Sequence, residues 1–488
     1  MQQLLSVVAI GSTALLHCSR LFAQTVARGL QSIAGKIIHR GDAAYPAWWA
    51  SMTWYIFKPQ RYPATIIRVE SEADVIATVN YARENQLKIA VRSTGHNPAK
   101  GVLRDGGILL DLALLRGAEV DAPSRTAWIQ PGIRAQELLK LTTQHGLAFP
   151  AAHTGIVGLG GYLLGGGVGW NMPEYGIACR SILGAEMITA DGKKVFVSRD
   201  ENQELHWAVR GVGPGFFAAV VRYQLQLYPV HRAIIVSQYV IPMENLTAAL
   251  AEFTTIGEVC DKRLETIIKI GRFHPADKPY AERDLVCTVG FFAFADTEDD
   301  AEALMSPVAQ SRIAELSILK KENVPITYDG LYVPPETDHS SPGRTTVENM
   351  WTENPGRGLQ LLTEKMMADP PPSPRSFLLC GWSFNTTFSD ASSCVRTGAR
   401  HYMSWYMIAE KEEDIEPNYQ WMDEAVELMR PLAEGRYINE IDPVRYPQHV
   451  QQCFSPADWQ RLERLRRQYD PQGVFHTYLG HDGPNSAS

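Results

Sequence analysis

The chain has 488 residues, 45% hydrophobic and 20% charged, with a formal net charge of −8 and a pI near 5.9. That length exceeds what one hydrophobic core usually supports and predicts two domains, and the acidic balance excludes a nucleic-acid-binding surface. The basic cluster Arg461, Arg464, Arg466 and Arg467 reads as the solvated face of an amphipathic helix.

Leu4 to Leu16, followed by Leu21-Phe22-Ala23, is an apolar run too short and too interrupted by Gly11, Ser12 and Thr13 to span a membrane. It reads as the core of a signal peptide cleaved after Ala23, which predicts a secreted or periplasmic protein. Its n-region lacks Lys and Arg, and an ordinary N-terminal helix on a cytoplasmic protein is the other reading. Ile66–Val69 predicts a short strand. Ser71, with Asp74 three residues on, predicts the cap of a helix whose apolar stripe is Val75, Val79 and Ala82 and whose end is Asn85. Leu87–Val91, Ile108–Leu112 and Ala127–Gln130 read as strands, and Ala135–His145 as a helix with Gly146 just past its end. Ile182–Thr189 and Lys194–Val197 flank Asp191-Gly192, a hairpin signal, and Val220–Leu227 is a further strand.

Near residue 230 the pattern changes. Strand candidates at Ala233–Ile241, Thr266–Ile270, Leu285–Phe294 and 400–409 accompany helices near 243–257, 299–315 and 418–433, with 334–376 read as loop. This predicts an α+β region, an antiparallel sheet with helices on one face. Arg436–Asp442 reads as a short strand or turn, and a final helix carries Trp459, Leu462, Leu465 and Tyr469. The seven cysteines contain no CxxC pair, so no metal site is predicted, and a disulfide such as Cys380–Cys394 stays open. Asn245-Leu-Thr and Asn385-Thr-Thr are glycosylation sequons for an exported eukaryotic chain.

Two glycine-punctuated stretches stand out: Arg92-Ser93-Thr94-Gly95-His96-Asn97, and His153 through Gly169. Glycine allows positive φ and close approach of a ligand, and successive turn amides form anion sites. Both stretches read as loops around one large phosphorylated cofactor with His96 beside it. Alone, such glycines also mark ordinary turns. No βαβ unit with a ribose-binding acid surrounds Gly158–Gly169, which excludes a Rossmann fingerprint.

In order along the chain, RSTGH (92–96), LLDL (109–112), VGLGGYLLGGGVG (157–169), a hairpin and WAVRGVG (207–213) together resemble the vanillyl-alcohol-oxidase-type flavoproteins, and more closely the berberine-bridge-enzyme-like FAD-linked oxidases. The resemblance spans 61–228 and 435–480 and is weak between them. It implies a PCMH-type two-part FAD-binding domain (24–230), a substrate domain (231–430), and a C-terminal segment (431–480) that returns to the first domain. It further implies FAD held by Arg92, Ser93, Thr94, Gly95, His96 and Asn97, with His96 covalently bonded to the flavin. Thr154, Val157, Gly158, Gly161, Gly166, Gly167 and Gly169 would supply the second cofactor-facing stretch. Thr154 stands where some relatives carry a second, cysteinyl link, so a single tether is expected. Val157 stands at the family's oxygen-gatekeeper position, which implies O2 as acceptor.

The family tail Asn-Tyr-x-Asp is replaced by Asn439-Glu440-Ile441-Asp442. Glu440 would then be the base that takes a proton from the substrate, with Asn439 and Tyr402 beside it; a surface glutamate is the other reading. Tyr406, Trp405 and His401 are alternative pocket residues. The implied activity is hydride transfer from an alcohol, phenolic, amine or sugar to the flavin, with O2 reduced to H2O2. A dehydrogenase or oxidative cyclase with another acceptor, or a non-catalytic flavin-binding protein, are the competing readings. The substrate and oligomeric state stay open.

Overall fold

The computed structural model describes residues 30–332, 342–382 and 391–481. The leader at 1–23 and the Asn385 sequon lie outside the described residues. Among the described residues no helix is long and apolar enough to cross a membrane.

A four-stranded sheet runs in the order Lys36–His39, Thr65–Arg68, Ile108–Asp111, Ile89–Arg92. Its first pair is antiparallel and the others parallel. Parallel neighbours need a crossover; the Glu72–Glu84 helix lies on that route and packs Val75, Val79 and Ala82 into the sheet's core. Ser71 caps this helix by accepting the Asp74 N–H. The Asp74 carboxylate, however, binds the N–H groups of Ala34, Gly35 and Glu70, tying the incoming chain to the helix start instead of closing a capping box. A second, five-stranded antiparallel sheet runs Ala118–Asp121, Thr126–Ile129, Ala218–Gln226, Ile182–Thr189, Lys194–Ser198. Its predicted hairpin turns at Gly192, whose φ is +79°.

The third sheet has seven antiparallel strands, in the order Leu319–Ile326, Ala233–Pro242, Asp284–Ala295, Leu264–His274, Phe377–Trp382, His401–Ile408, Arg344–Thr352. Side chains alternate between its faces. One face buries Ile268, Ile270, Val289, Phe291, Met403 and Trp405 in a core shared with the Leu246–Val259, Glu298–Ala309, Pro355–Ala368 and Ile415–Met429 helices. The α+β architecture holds.

Two local expectations, the loop-rich 334–376 and the solvated arginines, change, and the open question of a disulfide is answered. The stretch 334–376 holds a strand, Arg344–Thr352, and a helix, Pro355–Ala368, where loop was expected. The strand reads RTTVENMWT and is buried along its whole length, so its polar composition conceals it. Cys380 and Cys394 are free and sit in different cores, so that disulfide is absent. Two of the four arginines on the last helix are engaged: Arg461 pairs with Glu204 at 2.6 Å, and Arg466 donates to the Gly215 and Phe475 carbonyls. The tail is bound to the first sheet: Ile89 N–H donates to Val474 O at 2.7 Å and His476 N–H to Ile89 O at 3.0 Å.

Candidate active site

A cavity of about 850 Å³ lies between the two glycine stretches, the cavity-facing side of the seven-stranded sheet and the 437–440 tail. Ser93, Thr94, Gly95, His96 and Asn97 line it, as do Thr154, Val157, Gly158 and Gly161.

The first loop is held from beneath. Arg68, Asp111 and Arg92 are register neighbours on three adjacent strands. The fully buried Asp111 carboxylate accepts from Arg68 Nε and from an Arg92 Nη, each at 2.6 Å. Arg92 also donates to the carbonyls of Met52, Ser51, Ser93 and Thr94. Arg92 therefore does not face the cavity as expected; it binds the underside of the loop. Gly95 takes φ +75°, and a Cβ there would overlap the Met52 carbonyl oxygen. Ser93 donates to Pro131 O at 2.6 Å, and Thr94 Oγ1 accepts the Gly158 N–H at 2.9 Å, which joins the two glycine stretches. A Cβ on Gly158 would come within 2.6 Å of that same Thr94 oxygen.

The second stretch is not simply a loop: Leu159–Leu164 is helical, with Leu159, Tyr162 and Leu163 in the core. Gly166, Gly167 and Gly169 lie behind the cavity wall and do not line it, a second correction. Gly167, at φ +88°, and Gly169 leave space for the Tyr162 ring, whose hydroxyl donates to Pro150 O at 2.7 Å. The glycine run accommodates a tyrosine from its own helix.

Asn439 is a third correction. Its amide donates to the Gly161 and Tyr162 carbonyls and to the Tyr437 hydroxyl at 3.0 Å. Its amide thus serves carbonyls at the end of the short helix, Gly161 O also taking the Gly165 N–H at 3.1 Å, and it packs where a Cβ of Gly165 would lie while still lining the cavity.

His96 is half-buried, and its Nε2, shielded from solvent, has no hydrogen-bond partner among the described residues. Trp54 stacks on the ring at 5.8 Å, and the Tyr55 hydroxyl donates to the His96 carbonyl at 3.0 Å. Burial, reinforced by the Arg344 charge, lowers its pKa to about 3, so the imidazole is neutral. Glu440 lies on the sheet side of the cavity. The hydroxyls of Tyr402 and Tyr406 both donate to its Oε2, the latter at 2.8 Å. Four residues apart on one strand, these tyrosines share a face. Burial, with the Glu440 charge next, raises both phenols well above their ordinary range and keeps them protonated donors. Glu440 Oε1 accepts no hydrogen bond among the described residues. His401 and Trp405 turn to the other face; His401 meets Trp382 at 5.5 Å and Trp405 lies in the helix-side core.

The sequence reading missed two features. Arg344 lies over the Tyr406 ring at 4.3 Å. Glu265, buried on the Leu264–His274 strand, binds His153 Nε2 at 2.8 Å and the Asn171 N–H at 2.8 Å. The predicted strand began at Thr266, one residue too late to include it.

Residues 63–198 match the family model described as an FAD binding domain. The chain is 40% identical over 204 residues to (R)-6-hydroxynicotine oxidase of Paenarthrobacter nicotinovorans, an alignment covering 42% of this chain and 44% of that protein. It is 28% identical over 423 residues to the FAD-linked oxidoreductase nodO of Hypoxylon pulicicidum, covering 85% and 90% of the two chains. Its fold matches 6-hydroxy-D-nicotine oxidase from Arthrobacter nicotinovorans with a TM-score of 0.76 at 24% identity, covering 92% of this chain and 98% of that one. BBE-like 1 of Physcomitrella patens matches with a TM-score of 0.78 at 15% identity, covering 93% and 98%. At these identities the structural matches speak for the fold alone. The cavity fits the cofactor these comparisons imply: among the described residues, Gly161 on its wall has open space where a Cβ would lie, and a buried His96 nitrogen has no hydrogen-bond partner. The chain carries a PCMH-type FAD-binding domain over residues 63–198, is similar along most of its length to FAD-linked oxidoreductases, and has the fold of the berberine-bridge-like enzymes.

Proposed function

We propose that the protein is an FAD-dependent oxidase acting on an alcohol, phenolic, amine or sugar, with the flavin carried covalently on His96. FAD, when bound, supplies a two-electron acceptor that O2 reoxidises. Ser93, Thr94, Gly95, Asn97, Thr154, Gly158 and Gly161 would hold it. His96, kept neutral by burial, offers an imidazole lone pair for the bond. Thr154 provides no thiol for a second one, and Val157 lines the cavity where the family resemblance places the oxygen gate. Glu440 takes the proton from the substrate O–H or N–H on its open Oε1, while Tyr402 and Tyr406 hold Oε2 and fix the carboxylate. Asn439 positions the segment from which Glu440 projects. The observation that carries this reading is the placement of an unpartnered imidazole nitrogen and a carboxylate with one open oxygen in a single cavity.

The test is acid precipitation of the purified protein followed by flavin fluorescence of the pellet, paired with a donor screen that follows bleaching near 450 nm, about where oxidised flavins absorb, and H2O2 release in air. A fluorescent pellet that becomes colourless in His96→Ala, and H2O2 formed in step with donor consumed, are expected. A colourless wild-type pellet would remove the tether, and bleached flavin that O2 does not restore would make the protein a dehydrogenase.

A further inference from the structure

The cavity face of the seven-stranded sheet carries a row of residues at one register. Gln238 pairs with Gly290, Gly290 with Ile267, Ile267 with Gly381, and Gly381 with Tyr402. All five line the cavity. Adjacent strands lie about 4.8 Å apart, so the four steps from Gln238 to Tyr402 span about 19 Å.

Two of the five positions have no side chain, and they differ. A Cβ on Gly290 would come within 2.8 Å of the Phe292 ring, so an aromatic ring leans into that space. A Cβ on Gly381 would meet nothing within 4 Å among the described residues, so these leave the cavity open down to the backbone there. Between them stands Ile267. Between its ends the row itself carries only Gly290, Ile267 and Gly381, while Glu265, Lys269 and Thr288 flank it on the same face; its two ends are polar. At the inner end Tyr402 reaches Glu440. At the outer end Gln238 is exposed and paired across the sheet with Lys321, which also lines the cavity.

We propose that the substrate is an elongated, flat, apolar molecule lying along this row, its reacting hydroxyl or amine at Glu440 and a hydrogen-bond acceptor or anionic group at Gln238 and Lys321. The inner anchor rests on the reading of Glu440 as the base. Gly381 and Ile267 then set the accepted length and width. A compact sugar would span only part of the row's length of about 19 Å, so within the donor classes above the row selects an elongated molecule.

Calorimetric titration of the holoenzyme with phenol, 4-phenylphenol and 4′-hydroxybiphenyl-4-carboxylate tests this without turnover. An inert Glu440 would abolish catalysis and leave the length dependence, so the two readings fail separately. In the wild type, affinity rises at each step of the series, by about tenfold for the second ring. Gly381→Leu, nearest the inner end, weakens all three ligands. Ile267→Trp weakens both biphenyls by at least about tenfold and leaves phenol within about twofold. Gln238→Leu weakens the carboxylate alone. The three variants act at separate positions, so one that fails to fold leaves the other two to decide. A wild type that binds the biphenyls no more tightly than phenol, or folded Ile267→Trp and Gln238→Leu variants that change all three ligands equally, would overturn the proposal.

Discussion

On the loop wall of the cavity, the inward-facing groups are held by backbone amides, glycine geometry and one buried charge row beneath them. On the opposite wall, the inward-facing groups are side chains brought together from the sheet and the tail: Glu265 and Ile267, Gly381, Tyr402 and Tyr406, and Glu440. The loop wall is built by short-range geometry and leaves one imidazole nitrogen with no hydrogen-bond partner among the described residues. The sheet wall is built by register between distant strands and surrounds a carboxylate with phenols. A wall of the first kind suits a constant cofactor, and a wall of the second kind can change its ligand by changing single residues. That difference predicts that the two walls fail independently.

The largest effect is expected on the sheet wall. Glu440→Gln keeps the shape and removes the proton acceptor. Flavin reduction by a donor should slow by about 10²–10⁴-fold, the range for a general base. Flavin content and its attachment should stay at wild-type levels. Anaerobic stopped-flow reduction measures the first and acid-stable fluorescence the second. An unchanged reduction rate would place the base elsewhere; loss of bound flavin would show that the two walls are not independent.

Asp111→Ala attacks the loop wall from below. It leaves Arg68 and Arg92 without their shared carboxylate, and Arg92 is itself buried. Removing one partner of a buried charge network costs about 3–5 kcal/mol. Urea unfolding should show that loss, together with weakened flavin retention. A loss below about 1 kcal/mol, the scale of an exposed pair, would mean that the carbonyls of Met52, Ser51, Ser93 and Thr94 hold Arg92 unaided.

The same contrast explains what the sequence makes legible. The loop wall is written in contiguous residues: Ser93 to Asn97 and Thr154 to Gly161 are local motifs, and all but Arg92 of the first loop face the cavity as expected. Arg92, Gly166, Gly167 and Gly169 were assigned to the cofactor because motif membership does not reveal side-chain direction. Arg92 is turned by the register that sets it beside Asp111, Gly167 and Gly169 back onto Tyr162, and Gly166 onto Val395, Ile177 and Tyr437. Strand alternation offered Tyr402, Tyr406, Trp405 and His401 together as pocket residues, and only the first two face the cavity. Glu265 and Arg344 were not legible, because each sits on a strand whose polar residues are buried by neighbours far away in sequence. Asn439 looked catalytic beside Glu440, and only the nearby helix end shows where its amide is used.

The smallest of these effects is a dependence of stability on pH that belongs to the loop wall. His96 titrates at about 3 in the folded chain and near the ordinary 6.5 when unfolded. As pH falls through 6.5 the unfolded chain takes up a proton that the folded chain refuses, so His96 favours the fold above that pH and progressively less below it. At pH 5 the loss is about 2 kcal/mol, and it continues until the pH nears 3, where the folded imidazole also charges. Chain produced under riboflavin limitation should therefore lose stability in urea between pH 7 and pH 5 more steeply than His96→Ala produced the same way. His401, lowered by burial to about 4, is present in both chains and drops out of the difference. Equal slopes would mean that water or a counter-charge reaches His96 in the flavin-free cavity, and that the loop wall closes around the imidazole only when the cofactor is in place.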